Sequence, residues 1–285
     1  MKTFKTAFLL TALTLLLLFV GEALAGPRGM TFALIIAIVM NGTAYFFSDK
    51  IALMSSGAQP ISREQSPRLY VVMERLAAKA NLPMPKLYMI PQAAPNAFAT
   101  GRNPNHASVA VTAGLMDLMD DEELEGVIAH ELSHVRNYDI LTSSIAATIA
   151  GAITWIANVA KWGMIFGGIG GGRDDDREGG GLAAILMLIL APLAAVLLQL
   201  GISRQREYQA DASGAKMVGH PYGLMRALEK LGAYNKRIPM DISPSTSALC
   251  IVAPLTAGQF LMSLFSTHPR LEDRIARLRN MTVVR

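Results

Sequence analysis

Cysteine is almost absent from this chain: Cys250 is the single thiol among 285 residues. It cannot close an internal disulfide and has no cysteine partner for a metal site, so it reads as a small buried hydrophobe. Charge is scarce as well. Asp, Glu, Lys and Arg make up 17% of the residues, and the formal net charge is only +4. No stripe of Lys and Arg with interleaved aromatics occurs, which argues against a nucleic-acid partner. Histidine is limited to five positions, so where they fall is informative. No internal repeat is present.

What the chain has in excess is apolar sequence. Hydrophobic residues make up 52% and mean hydropathy is +0.34, above the usual globular range, and the excess is collected in blocks. "TAFLLTALTLLLLFVGEALA" and "MTFALIIAIVMNGTAYFF" are separated only by "GPRG". The pair predicts a helical hairpin, each arm close to the ~20 residues that a membrane span needs. Ala23-Leu24-Ala25 also fits a signal-peptidase site; loss of the first arm would leave the second in the same direction. Two later blocks, "ILTSSIAATIAGAITWIANVA" and "LAAILMLILAPLAAVLLQLGI", flank the loop "GGIGGGRDDDREGGG". The acidic loop has no following lysine, unlike a phosphate-binding loop. Lys2, Lys5 and Lys50 flank the hairpin, and Arg204, Arg206, Lys216, Arg226 and Lys230 follow the last block. The positive-inside rule then places both polar regions in the cytosol.

Those polar regions carry the expected folded part. "SREQSPRLYVVMERLAAKANLP" has helical spacing between Pro67 and Pro83. "KLYMI", "NAFATG" and "ASVAVT" are short runs between Pro, Gly and Asn, and predict a small strand meander. "LMDLMDDEELEGVIAHELSHVRNYD" predicts one helix with acidic residues at its start, and "SRQREYQADASGAKMVG" and "HPRLEDRIARL" predict two more. The expected class is mainly α with a small β-meander (α+β) and about four transmembrane helices. Its parts are a hairpin over 1–47, a cytosolic half over 48–139, a second apolar pair over 140–202 and a second cytosolic half over 203–285.

His130-Glu131-Leu132-Ser133-His134 is an H-E-x-x-H motif. Residues i and i+4 share one helix face, so both imidazoles can reach one ion, with Glu131 beside them to accept a proton. A hydrolytic zinc site needs a third protein ligand. The offsets where one zincin type carries a glycine and a third histidine hold Asn137 and Ile140 here. A glutamate on a later helix is the other solution: "SRQREYQAD" offers Glu207, with Asp211 one turn on to accept the free ring N–H of a ligand histidine. For the second donor to a tetrahedral oxyanion, His220, His268, Tyr208 and Arg204 all remain open. His106, His220 and His268 otherwise read as turn or cap residues.

"NAFATG", "HELSHVRNYD", "SRQREYQAD" and "STHPRLEDRIARL", in this order and between these apolar blocks, resemble the HtpX family of membrane zinc endopeptidases over nearly the whole chain. Type-I CAAX prenyl proteases share the layout more distantly, but four spans are too few to enclose their chamber. The resemblance implies a zincin-like metallopeptidase fold and one zinc per chain. It further implies a multi-pass protein of the bacterial inner membrane, with its catalytic domain in the cytosol. Its substrates would be unfolded or misfolded membrane proteins, in quality control. Arg270 departs from the family, where a second proline often follows His268-Pro269. Asn96, Ala97 and Phe98 are expected on an edge strand that pairs with an extended substrate, in the manner of thermolysin-like peptidases. A metal-binding scaffold without catalysis is the contrasting reading, and retention of Glu131 argues against it.

Overall fold

The computed structural model describes residues 2–149, 204–237, 251 and 269–282. Most of the third apolar block, all of the fourth, the acidic glycine-rich loop, Cys250 and His268 lie outside the described residues.

Helix α1 runs over Lys2–Ser55, but it is not a straight rod. Asn41 Nδ2 donates to Thr14 Oγ1 at 2.8 Å and to Leu10 O at 3.3 Å. A straight helix would hold residues 14 and 41 about 40 Å apart, so the chain folds back between them. Gly26, with φ +59°, stands beside Pro27 at the reversal. Glycine has no Cβ to clash in this left-handed conformation. Gly26–Ser55 is the one helix among the described residues long and apolar enough to cross a bilayer, with mean hydropathy 1.8. Phe19, Phe32, Ile38 and Val39 are 62–68% exposed, an outward apolar surface of the kind that marks a membrane or protein contact.

The sheet has four strands: β1 (Gln59–Pro60), β2 (Lys86–Ile90), β3 (Ala97–Gly101) and β4 (Ala107–Thr112). Their order is β1-β2-β4-β3, with β2 parallel to β4 and the other pairs antiparallel. This corrects the expected meander. The β3–β4 hairpin closes through residues 102–106, both strands are buried along their whole length, and β4 takes the slot beside β2. Strand β3 is thereby pushed to the edge.

Helix α2 (Pro67–Ala80) begins with proline at its first position and ends at Asn81 in a left-handed conformation. Its buried residues Leu69, Val72, Met73, Leu76 and Ala77 repeat at helical spacing. The segment after Gly114, expected as one helix, is two: α3 (Ala113–Leu118) and α4 (Asp121–Asn137). The break falls at Asp120 because its carboxylate accepts from Glu123 N–H while Glu123 returns a bond to Asp120 N–H, a capping box that starts a new helix. Helix α4 is the spine of the molecule. Leu124, Val127, Ile128, Leu132 and Val135 are fully buried, so core surrounds it.

Helix α5 covers the described residues Asp139–Ile149 and rests on the α1 hairpin: Ile145 and Ile149 pack with Leu13 and Ala44, and Thr142 Oγ1 lies 3.0 Å from Thr6 Oγ1. Helices α6 (Arg204–Val218) and α7 (Tyr222–Arg237) pack against α4, and α8 (Leu271–Arg279) closes over both. Close approach to α4 needs glycine on each side. A Cβ at Gly126 would meet Leu224 N at 2.3 Å, and one at Gly214 would meet His130 N at 3.0 Å.

Candidate metal centre

The H-E-x-x-H residues sit in the buried middle of α4, where the helical repeat turns His130 and His134 the same way. Their Nε2 atoms are 3.3 Å apart. Helix α6 delivers Glu207 to the same point, its Oε2 3.6 Å from His130 Nε2 and its Oε1 3.5 Å from His134 Nε2. One donor atom from each of these three residues fits within a sphere of 4.8 Å. Two ring nitrogens facing each other and a carboxylate are the donor set of a metal ion.

Behind each histidine stands a carboxylate. Asp211 Oδ1 lies 2.9 Å from His130 Nδ1, off the axis of the ring N–H, so the contact is more electrostatic than directional. Asp139 Oδ2 lies 3.4 Å from His134 Nδ1, and Asp139 was not anticipated from sequence. Its position five residues after His134, just past the helix end, was the available signal. Each carboxylate has a guanidinium in turn. Arg274 clasps Asp211 through Nε at 2.9 Å and Nη2 at 2.7 Å, and Arg206 Nη1 is 3.5 Å from Asp139. Arg274 was equally unassigned, although it interrupts the apolar stripe Leu271, Ile275, Leu278 of α8.

The charges shape the site. Burial opposes the imidazolium form of His130, but Asp211 and Glu207 outweigh it, and the group is pushed up to about 9. Burial pushes the Glu131 carboxyl up, while His130, His134 and a hydrogen bond from Ala99 N–H pull the other way. Burial would also raise Asp211, yet Arg274 and His130 hold it below the usual carboxylate range.

Asn96, Ala97 and Phe98 lie beside this centre but do different things. Asn96 and Thr112 exchange bonds across the β3–β4 ladder. By the alternation of antiparallel pairs, residues 97, 99 and 101 turn their N–H and C=O away from β4. Ala97 and Ala99 face the main core and Phe98 the opposite side, against Ala52 and Leu53 of α1. Asn96 Oδ1 accepts from Ile251 N–H at 3.2 Å. Of the possible oxyanion donors, His220 sits 3.6 Å from Glu122, two turns and about 12 Å along α4 from His130. Tyr208 lies under the Arg277 guanidinium, 3.7 Å from its ring centre.

Two histidines one turn apart, a neighbouring buried carboxyl and a glutamate from a second helix, all set against an edge strand, define a metallopeptidase. Comparison with known proteins agrees. Residues 62–282 match peptidase family M48. The chain is 58% identical over 274 residues to "Protease HtpX homolog" of Desulfatibacillum aliphaticivorans, covering 96% of this chain and 88% of that one. It is 55% identical over 281 residues to the protein of that name from Thermodesulfovibrio yellowstonii, covering 99% of each. The fold is similar to the crystal structure of S. mikatae Ste24p, with a TM-score of 0.53 at 20% identity. That match covers 97% of this chain, which spans 64% of the other's length. The chain belongs to peptidase family M48, among the HtpX proteases, and is a membrane-associated metallopeptidase.

Proposed function

We propose that the chain is a zinc-dependent endopeptidase of the bacterial inner membrane. It cleaves extended segments of unfolded or misfolded membrane proteins at the cytosolic face, in quality control. The observation that carries this is the convergence of donor atoms from His130, His134 and Glu207, all within 4.8 Å of one another, beside the buried Glu131 carboxyl on a helix packed against the edge strand. Nearness to the bilayer follows from the opposite face of β3, where Phe98 packs against Ala52 and Leu53 at the end of the membrane helix.

His130, His134 and Glu207 would hold the ion, with one position left open, as a catalytic zinc site requires. Zinc bound there supplies Lewis acidity, lowering the pKa of its water to about 7 and polarising a carbonyl. Glu131 takes the proton from the attacking water as the new C–O bond forms, then returns it to the leaving amine as the C–N bond breaks. The raised affinity of its buried carboxyl for a proton suits both steps. Asp211 and Asp139 fix the ring orientations of His130 and His134. The outward main-chain groups of Ala97 and Gly101 and the C=O of Ala99 pair with substrate backbone, and Asn96 supports that strand from its start.

Metal analysis and digestion of unfolded casein by the purified protein test this reading. One zinc per chain is expected in the wild type and most of it should be lost in Glu207→Gln. Full occupancy in that variant would remove Glu207 from the ligand set.

A further inference from the structure

Arg274 is 1% exposed and, among the described residues, heads the largest fully buried side chains. Its helix does not need it for docking, because Leu271, Ile275 and Leu278 already pack into the main core. A guanidinium stays buried only where its donors are met, and here the partners are specific. Nε and Nη2 grip both oxygens of Asp211, and Nη1 donates to Ile251 O at 2.7 Å while lying 3.9 Å from Glu207 Oε2. The other main-chain group of Ile251, its N–H, is taken by Asn96 Oδ1. Ile251 is itself 3% exposed. One arginine thus stands in a continuous path from Asn96, at the start of the edge strand, through Ile251 and Asp211 to His130.

We infer that Arg274 is a positioning residue of the peptidase site. It holds Asp211 against the His130 ring, and it holds Ile251 so that Asn96 and β3 keep their place beside the metal. The inference rests on the reading of His130, His134 and Glu207 as metal ligands. It differs from a merely structural role because the grip falls on the carboxylate behind a ligand and on the residue that Asn96 holds. Charge balance points the same way. Glu131, Glu207 and Asp211 crowd one buried centre, and Arg274 with a divalent ion would neutralise them.

The test uses the full-length protein in detergent, as wild type, Arg274→Gln, Arg274→Lys, Asp211→Asn and the double variant Arg274→Gln/Asp211→Asn. Zinc affinity is read by chelator competition, ligand geometry by the visible spectrum of the cobalt(II)-loaded protein, and turnover as separate kcat and KM on an unfolded peptide. Arg274→Gln should weaken zinc about 10–100-fold, as expected for loss of support behind a ligand, and should shift the cobalt bands. Arg274→Lys keeps the charge without the fork and should fall between. The double variant should weaken zinc no more than Arg274→Gln alone, since both act along one path. KM should rise in Arg274→Gln but not in Asp211→Asn, because only the arginine also holds Ile251. Wild-type zinc affinity and cobalt bands in Arg274→Lys and Arg274→Gln, with melting alone lowered, would overturn the inference. Additive losses in the double variant would do the same. If Arg274→Gln does not fold, the lysine variant decides by the same readings. A wild-type chain that binds no metal would overturn the underlying site reading, a different result from wild type and variants binding alike.

Discussion

Glu131 separates binding from catalysis most sharply. Its carboxyl is buried beside the candidate ligands, yet it is not one of the three converging donors. Glu131→Gln keeps shape and burial while losing the proton acceptor. Zinc content and melting temperature should stay near wild type while casein digestion falls by orders of magnitude; digestion at the wild-type rate would take the base role away from Glu131. If His130 is a ligand, as proposed, it should set the pH dependence of metal uptake. Its folded value of about 9 lies above the ordinary 6.5, so the metal-free protein holds that proton at neutral pH. The stability this proton contributes is fully present below the ordinary value and is lost as pH rises through about 9. Zinc must displace it, so zinc binding at pH 7 should release about one proton, and affinity should climb from pH 6.5 toward 9. Calorimetry in buffers of different ionisation enthalpy measures the release. Zero protons would mean that His130 is neutral before the metal arrives.

At the scale of elements, the site depends on how closely two helices approach α4. Gly126 lets α7 lie against it: a Cβ there would meet the backbone nitrogen of Leu224 at 2.3 Å, and no side-chain rotation relieves a backbone clash. Gly126→Ala should cost about 1–3 kcal/mol, the range for overpacking, and denaturant unfolding would show it. Wild-type stability would mean that α4 and α7 can part freely. The edge strand and the residue that leads into it have different roles. Phe98 is 2% exposed between the sheet and the end of α1, so Phe98→Ala should destabilise by about 3–5 kcal/mol. Asn96→Ala orphans the buried Ile251 N–H, so it should cost less stability, about 1–3 kcal/mol, and slow peptide hydrolysis several-fold by loosening the start of the strand. Unchanged hydrolysis across several unfolded peptides would take Asn96 out of the substrate account.

For the whole molecule, the decisive matter is how the apolar helices meet the peptidase domain. The Thr6–Thr142 contact at 3.0 Å and the packing of Ile145 and Ile149 on Leu13 and Ala44 place α5 alongside the first arm of α1. In a Cys250→Ser background, Thr6→Cys with Thr142→Cys should therefore cross-link within one chain on mild oxidation. No cross-link would mean that α5 departs from the hairpin in the bilayer. In the same background, a cysteine at Asp175 should react with an impermeant reagent from outside the cell, and one at Asn103 only after the membrane is broken. Protection of both would leave the hairpin as the sole anchor.

The sequence alone determined the chemistry on single elements. The i, i+4 spacing of His130 and His134 puts two imidazoles on one face of any helix that forms, and Glu207 and Asp211 share a face for the same reason. Local rules also reached the boundaries of α2 through Pro67 and the return of α1 at "GPRG". Contacts between elements were decided only by the tertiary structure. Three runs read as strands could pair in several orders, and the mixed order that leaves β3 at the edge depends on which slot β4 fills. The split at Asp120 was written locally, as a carboxylate three residues before Glu123, but helical periodicity carries through it. Asp139, just past the helix end, and Arg274, within an apolar stripe, had only weak local signals, and neither named its partner. Asp139 matters because it lies behind the His134 ring, and Arg274 because α8 folds back across the 63 positions that separate it from Asp211. Such meetings are fixed by core packing around α4, where burial removes water as a partner and leaves each charge only the groups the fold has brought to it.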